Sequence, residues 1–215
     1  MAISHSFCPL CQHQSPLFYD FKQRRYYQCG FCSAVFMDRN LWPDIQAEKT
    51  RYLEHLNEVS DLRFQHFVSP ITNAVQNDYN FSHKGLDFGA GHAPVITHVL
   101  TQAGYQIEAY DPLFINTEEC LNQQYDYVTS CEVIEHFHQP AKSFALLKHL
   151  LKPSARLYCM TELFHEGIDF HQWNYKNDPT HVFMYHRNTI SYISERYGFL
   201  KSDINGRLVT FTQTQ

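Results

Sequence analysis

Apolar positions recur with two different periods along this chain, and the changes of period mark its elements. Phe64, Phe67, Val68, Ile71 and Val75 recur at helical spacing, which predicts one amphipathic helix over residues 62–75; a shorter helix is expected over 45–57. Leu86 to Phe88 read as the end of a buried strand. Val95, Ile96, Val99, Leu100 and Ala103 then share one face of a helix over 94–103 that Gly104 stops. A second strand over 106–110 completes a βαβ unit. Further on, 125–130 reads as a strand, Glu135 and His136 as the opening of a helix, 141–151 as a helix stopped by Pro153, and 156–161 as another strand. Asn188 or Thr189 caps a last helix that Gly198 ends, and 199–204 with 208–212 form an antiparallel pair.

Composition adds limits to this pattern. With 215 residues, 44% hydrophobic and 18% charged, the chain fits one α/β domain with a small appendage. A net charge of −5 argues against a surface that neutralises many phosphates, so nucleic acid is a poor partner. No apolar run approaches a membrane span, and the first residues lack a signal-peptide pattern, so a cytoplasmic protein is expected.

The cysteines change the picture at the start of the chain. Cys8, Cys11, Cys29 and Cys32 form two C-x-x-C knuckles separated by 17 residues, a spacing that brings four thiolates onto one zinc ion. Disulfides suit a cytosolic chain poorly, and neither pair follows a βαβ strand as a redox pair would. Cys120 and Cys159 read as small buried hydrophobes.

The turn after the first strand of the βαβ unit carries the next chemistry. Gly89 and Gly91 let backbone approach a ligand closely, and Asp111 at the end of the second strand is placed to accept hydrogen bonds from ribose hydroxyls. The nicotinamide fingerprint needs a third glycine where Pro94 stands, which disfavours a nicotinamide-dependent oxidoreductase.

Asp87-Phe88-Gly89-Ala90-Gly91 followed by Tyr110-Asp111-Pro112 resembles class I S-adenosylmethionine-dependent methyltransferases. The resemblance extends to Tyr125-Asp126-Tyr127-Val128, to Cys131-Glu132-Val133-Ile134-Glu135-His136 and to Leu150-Leu151-Lys152-Pro153. Within that family the chain is similar to short bacterial proteins that begin with a zinc ribbon, whose Tyr-x-x-His-x-Asn element stands here as Tyr52, His55 and Asn57 and whose Asp-Pro-Thr-His element stands as Asp178 to His181. The resemblance implies an α/β fold: a Rossmann-like doubly wound sheet with an abbreviated third strand, since only about a dozen residues separate Asp111 from Tyr125. An antiparallel C-terminal strand pair and an N-terminal zinc ribbon complete it. The implied parts are a ribbon over 1–40, a helical connector and cofactor lid over 41–80, and a cofactor-binding domain over 81–215.

The same resemblance implies S-adenosylmethionine and zinc as cofactors and a small-molecule methyl acceptor as partner. Tyr52, His55, Asp87, Gly89, Gly91, Asp111, Pro112, Cys131 and Glu132 are the expected cofactor neighbours, with Pro112, Leu113 and Phe114 beside the adenine. Residues 162–186 are irregular and rich in aromatic and titratable side chains, the composition of an acceptor pocket. His181 is the first candidate for a general base, with His136 and His171 behind it. Ala90, His92 and Ala93 depart from the family pattern, which leaves a catalytically inactive zinc-ribbon binding protein as the alternative.

Overall fold

The computed structural model describes residues 5–54 and 58–215, and it contains two sheets. The larger has six strands: β5 (Lys84–Phe88), β6 (Gln106–Tyr110), β7 (Tyr125–Cys131), β8 (Leu151–Met160), β10 (Phe199–Asn205) and β11 (Leu208–Gln213). Their order is β10-β11-β8-β7-β5-β6, with parallel pairing from β6 to β8 and antiparallel pairing beyond. Strand residues alternate between two apolar layers. Tyr127, Tyr158 and Met160 pack under α3 (Ser69–Asp78) and α4 (Val95–Gln102), while Val128, Leu157 and Cys159 face α5 (Pro140–His149) and α6 (Arg187–Tyr197). That two-sided burial is the doubly wound arrangement.

No third strand follows β6 among the described residues. The chain instead makes a bridge from Asp111 to Ile115 and a short 3₁₀ turn over Glu118–Asn122, so β6 is the sheet edge.

The smaller sheet holds β1 (His5–Phe7), β2 (Gln14–Phe21), β3 (Arg24–Gln28) and β4 (Val35–Met37), and its fifth strand is β9 (Phe183–Met184), drawn from the long irregular segment near the other end of the chain. Tyr26, Tyr27, Val35 and Phe36 of this sheet belong to the same buried cluster as Phe183, Tyr185 and Ile190. A sheet too small to bury its own core thus leans on the larger domain.

Several local expectations are corrected. The helix expected over 62–75 is two, α2 (Leu62–Phe67) and α3, meeting at Val68. Pro70 lacks the N–H that would reach the His66 carbonyl, and its ring would collide there, a cost of about 3 kcal/mol that a break avoids. The helix expected over 45–57 is described as α1 (Ile45–Leu53), with Asp44 Oδ1 accepting from the Ala47 N–H at 2.8 Å. Glu135 and His136 open no helix. They sit in a 3₁₀ turn over Ile134–His136, and α5 begins at Pro140. Strand β8 begins before Arg156, its register slipping around Pro153 and Ser154, whose φ is 62°. The cap of α6 is His186, which accepts from the Asn188 N–H at 3.0 Å, while Thr189 Oγ1 accepts from the His186 N–H at 3.1 Å. Among the described residues no helix is long and apolar enough to cross a membrane.

Candidate functional site

The carboxyl ends of β5, β6 and β7 open into one cavity of about 1050 Å³, roofed by α1 and α2 and closed on the far side by residues 174–181. The glycine turn forms its floor. Gly89 and Ala90 donate from their N–H groups to the Tyr110 carbonyl at 2.8 and 3.0 Å, tying the turn to the end of β6. Gly89 has φ 80°, and a Cβ there would lie 2.5 Å from Val133, so only glycine fits. Gly91, with φ 65°, donates to Asp111 Oδ2 at 2.9 Å. Asp111 Oδ1 in turn accepts from the Leu113 and Phe114 N–H groups at 2.8 and 3.1 Å. The carboxylate therefore holds both walls of the turn, and Oδ2, with one bond, retains a lone pair for a ligand hydroxyl.

Asp87 lies beneath, 3% exposed. Its Oδ2 accepts from Thr97 N–H and Oγ1 at 3.3 and 3.0 Å, and its Oδ1 accepts from Thr129 Oγ1 at 3.0 Å. Burial pushes its carboxyl up to about 6 despite these bonds. Asp87 thus anchors the first turn of α4 as well as lining the cavity.

At the other end stand two imidazoles, 4.8 Å between ring centroids. His136 Nδ1 pairs with the Thr180 carbonyl at 2.9 Å and His181 Nδ1 with the Tyr175 carbonyl at 2.7 Å. A carbonyl only accepts, so Nδ1 carries a proton in both rings. Burial, followed by the neighbouring His136, pushes His181 down to about 4, so it is neutral near pH 7. Tyr52 of α1 packs edge-on against His136 at 5.2 Å.

Below the pair, Glu135 is fully buried and accepts from Tyr175 Oη and, at 3.2 Å, from Thr161 Oγ1; burial pushes it up to about 7. Glu132, with φ 52°, accepts from Arg207 Nη2 at 2.5 Å on Oε2. Burial, with the charge of Glu135 adding to it, pushes Glu132 up to about 8. Its Oε1 and Arg207 Nε are both buried without a hydrogen-bond partner among the described residues, so this pair is held by one contact rather than the usual fork.

Of the expected site residues, the structure gathers Tyr52, Asp87, Gly89, Gly91, Asp111, Pro112, Cys131, Glu132, His136 and His181 around this cavity. His171 is elsewhere, with Nδ1 3.0 Å from Tyr19 Oη against the smaller sheet. His55 and Asn57 lie outside the described residues. Arg51 and Arg207 line the cavity without any local signal in the sequence: Arg207 stands in the turn between β10 and β11, 75 positions from the carboxylate it pairs with.

The four N-terminal cysteines converge separately. Their Sγ atoms lie within 4.8 Å of one another, with Cys8–Cys32 at 3.7 Å, Cys11–Cys29 at 3.4 Å and Cys11–Cys32 at 3.6 Å. A zinc tetrahedron with arms of about 2.3 Å has edges of roughly 3.8 Å, so the set fits that ion and is too wide for disulfides. The knuckles repeat one geometry: Gln12 and Ser33 each have φ 62°, and their N–H groups donate to Cys8 O and Cys29 O at 2.9 Å.

Comparison with known proteins gives a family match over most of the chain: a model described as a methyltransferase domain matches residues 31–201. No curated protein matches the sequence. Among solved structures, magnesium protoporphyrin IX methyltransferase from Synechocystis, with bound SAH, is 15% identical, with a TM-score of 0.57 over 82% of this chain and 98% of that one. The 1,6-didemethyltoxoflavin-N1-methyltransferase of Burkholderia thailandensis, with S-adenosylhomocysteine, is 14% identical, with a TM-score of 0.53 over 93% and 99%. An O-methyltransferase family protein from Burkholderia thailandensis is 13% identical, with a TM-score of 0.52 over 70% of this chain; the chain spans only 57% of that protein's length. At such identities the likeness is one of fold.

Proposed function

The chain belongs to the methyltransferase-domain family, and from that premise we propose that it transfers a methyl group from S-adenosylmethionine to a small-molecule acceptor. The carrying observation is that one cavity joins the Gly89–Gly91 turn and Asp111 to the His136 and His181 pair. When bound, the cofactor supplies a methyl carbon made electrophilic by its sulfonium.

The chain's own residues divide the remaining work. Gly89, Gly91 and Asp111 seat the cofactor's ribose end, Pro112 with Leu113 and Phe114 border its adenine, and Cys131 and Glu132 lie toward the transfer point. Tyr52 covers the site from above, with His55 expected beside it. The Nε2 lone pair of His181 selects an acceptor that donates a hydrogen bond, a hydroxyl or an amine, and holds it in line with the methyl group. A histidine held near 4 is a weaker base than an exposed one, so His181 orients the acceptor and draws its proton as the new bond forms.

Zinc on Cys8, Cys11, Cys29 and Cys32 fits the reading as a structural ion. Residues 1–40 then buttress the pocket, 41–80 connect and cover it, and 81–215 carry the transfer site. Reduced, clustered thiols suit a cytoplasmic setting.

Two measurements test the proposal. Calorimetry should show one S-adenosylmethionine per chain, and incubation with labelled donor and cell extract should yield one labelled small molecule. His181→Asn should lower turnover on that molecule by roughly a hundredfold with donor affinity little changed. Absence of donor binding to folded protein would reject the function; near-normal turnover of the Asn variant would reject the role of His181.

A further inference from the structure

The chain carries a net charge of −5, yet cations gather without an anion on one face of the smaller sheet. The hairpin of β2 and β3 sets that face. Phe21 stands opposite Arg24, Asp20 opposite Arg25 and Tyr19 opposite Tyr26, and successive strand residues point to opposite sides. Asp20 therefore meets Arg25, at 3.2 Å, on the side away from Arg24. Lys22 lies exposed in the turn, with its ammonium 5.3 Å from the Phe21 ring centroid. Residues 171–177 complete the face. Lys176 is only 3% exposed, and its ammonium donates to the His171 and Trp173 carbonyls at 2.8 and 3.2 Å and to Asn177 Oδ1 at 3.3 Å. Arg24 donates to the Lys176 and Asn177 carbonyls at 2.5 and 2.9 Å. All these partners are neutral. Asp169 is the acid whose charge reaches Lys176, but its Oδ1 accepts from the His171 N–H at 3.0 Å. No salt bridge reaches Lys22, Arg24 or Lys176 among the described residues. Burial, followed by the Arg24 charge, lowers the Lys176 pKa.

A buried charge is ordinarily paired, and here a buried ammonium has a guanidinium for its neighbour instead. These groups line a cleft of about 190 Å³, walled by Tyr19, Phe21 and His171. At about 30 Å³ per water molecule, that is room for one charged group with a few waters and too little for a whole cofactor. We propose that this cleft binds a small oxyanion, the phosphate of a monoester or a carboxylate. Lys22 brings mobile hydrogen-bond donors to it, while Arg24 and Lys176, fixed by their carbonyls, supply positive charge. Asn177 lines both this cleft and the large cavity, so a bound anion stands against the wall of the acceptor pocket. The anion comes from solution or is the charged end of the acceptor itself, and the recognising chemistry is the same.

The acceptor as source rests on the methyl-transfer reading; the site does not, because it is measurable without donor or acceptor. The full chain, labelled with nitrogen-15, is titrated at constant ionic strength with inorganic phosphate, phenyl phosphate and acetate in turn. Saturable amide shifts centred on residues 21–24 and 171–177 are expected with at least one of them. Lys22→Glu and Arg24→Gln should each weaken that binding at least about tenfold. Arg24 also holds the 176–177 backbone, so the exposed Lys22→Glu carries the test if the other variant fails to fold. Lys142→Glu on α5 makes the same change of charge away from the cleft and should bind as the parent does. No saturable shift with any of the three anions, or an equal loss in Lys142→Glu, overturns the site. Turnover of Lys22→Glu on the identified acceptor then names the source. A raised KM at unchanged kcat, with phosphate competing, assigns the anion to the acceptor; an unchanged KM assigns it to solution. Donor binding on the same samples separates the two readings. Cofactor bound without any anion sinks the cleft alone, and an anion bound without cofactor sinks methyl transfer alone.

Discussion

Arg51 of α1 donates from both Nε and Nη2, at 3.0 and 2.8 Å, to the single Oδ2 of Asp178, 127 positions further along the chain. This contact fastens the roof of the cavity to the segment that carries His181. Asp178 spends its other oxygen on Thr180 N–H and Oγ1, at 3.0 and 2.6 Å, so one carboxylate sets both the roof and the Asp178-Pro179-Thr180-His181 turn.

Loss of that contact should loosen the roof before it unfolds the domain. The Arg51 side chain is 31% exposed, so the pair is worth roughly 1 to 2 kcal/mol after allowance for solvent. Arg51→Ala should weaken S-adenosylmethionine about five- to thirtyfold and speed hydrogen exchange over residues 45–53, with lysine restoring only part. Unchanged exchange and affinity would show that α1 is held by its other contacts alone.

Asp111 separates two effects by the choice of substitution. Asparagine keeps one oxygen for the Leu113 and Phe114 N–H groups and gives up only the Gly91 contact, because its amide nitrogen cannot accept, whereas alanine releases all three. Asp111→Asn should lower cofactor affinity on the order of ten- to a hundredfold with a small change in melting temperature, and Asp111→Ala should lower both. Calorimetry and thermal melts on the pair of variants check this.

Zinc removal should be felt far from the cysteines. Thr189 Oγ1 donates to the Cys32 carbonyl at 2.7 Å, and β4 pairs with β9, so the knuckle supports the start of α6 and the 183–184 strand. Chelation under reducing conditions should raise hydrogen exchange over 182–190 and lower the melting temperature by several degrees. Exchange confined to residues 5–37 would contradict this coupling.

The pH dependence carries the signature of Asp87. In the folded chain it keeps its proton up to about pH 6, against an ordinary value of 3.8, because burial disfavours the anion. The stability it contributes is fully present below the ordinary value and lost as pH rises through about 6, an effect of roughly 3 kcal/mol. Asp87→Asn should remove that decline in denaturant titrations between about pH 4 and pH 6.5, since Nδ2 can face the Thr129 hydroxyl while Oδ1 faces Thr97. A variant with the parent's slope would assign the titration to another group.

The sequence by itself determined what depends on neighbours along the chain. Apolar period and turn residues marked β5, α4, β6 and the C-terminal pair; the knuckle spacing marked the four thiolates; Gly89, Gly91 and Asp111 marked the edge at which the cavity opens. Even some local features escaped it where two signals competed, as when the apolar stripe over 62–75 concealed the break that Pro70 enforces. What tertiary structure alone decided is the meeting of distant side chains. His136 and His181 lie 4.8 Å apart only because β7 and the 174–181 segment reach the same sheet edge, and the same return of the chain brings β9 beside β4. His171 has the same ring chemistry and lies in the same irregular stretch, yet it packs against Tyr19 instead. The reason is physical: periodicity reports which face of an element is buried, while a site is made where faces of separate elements converge, and no local pattern records that distance.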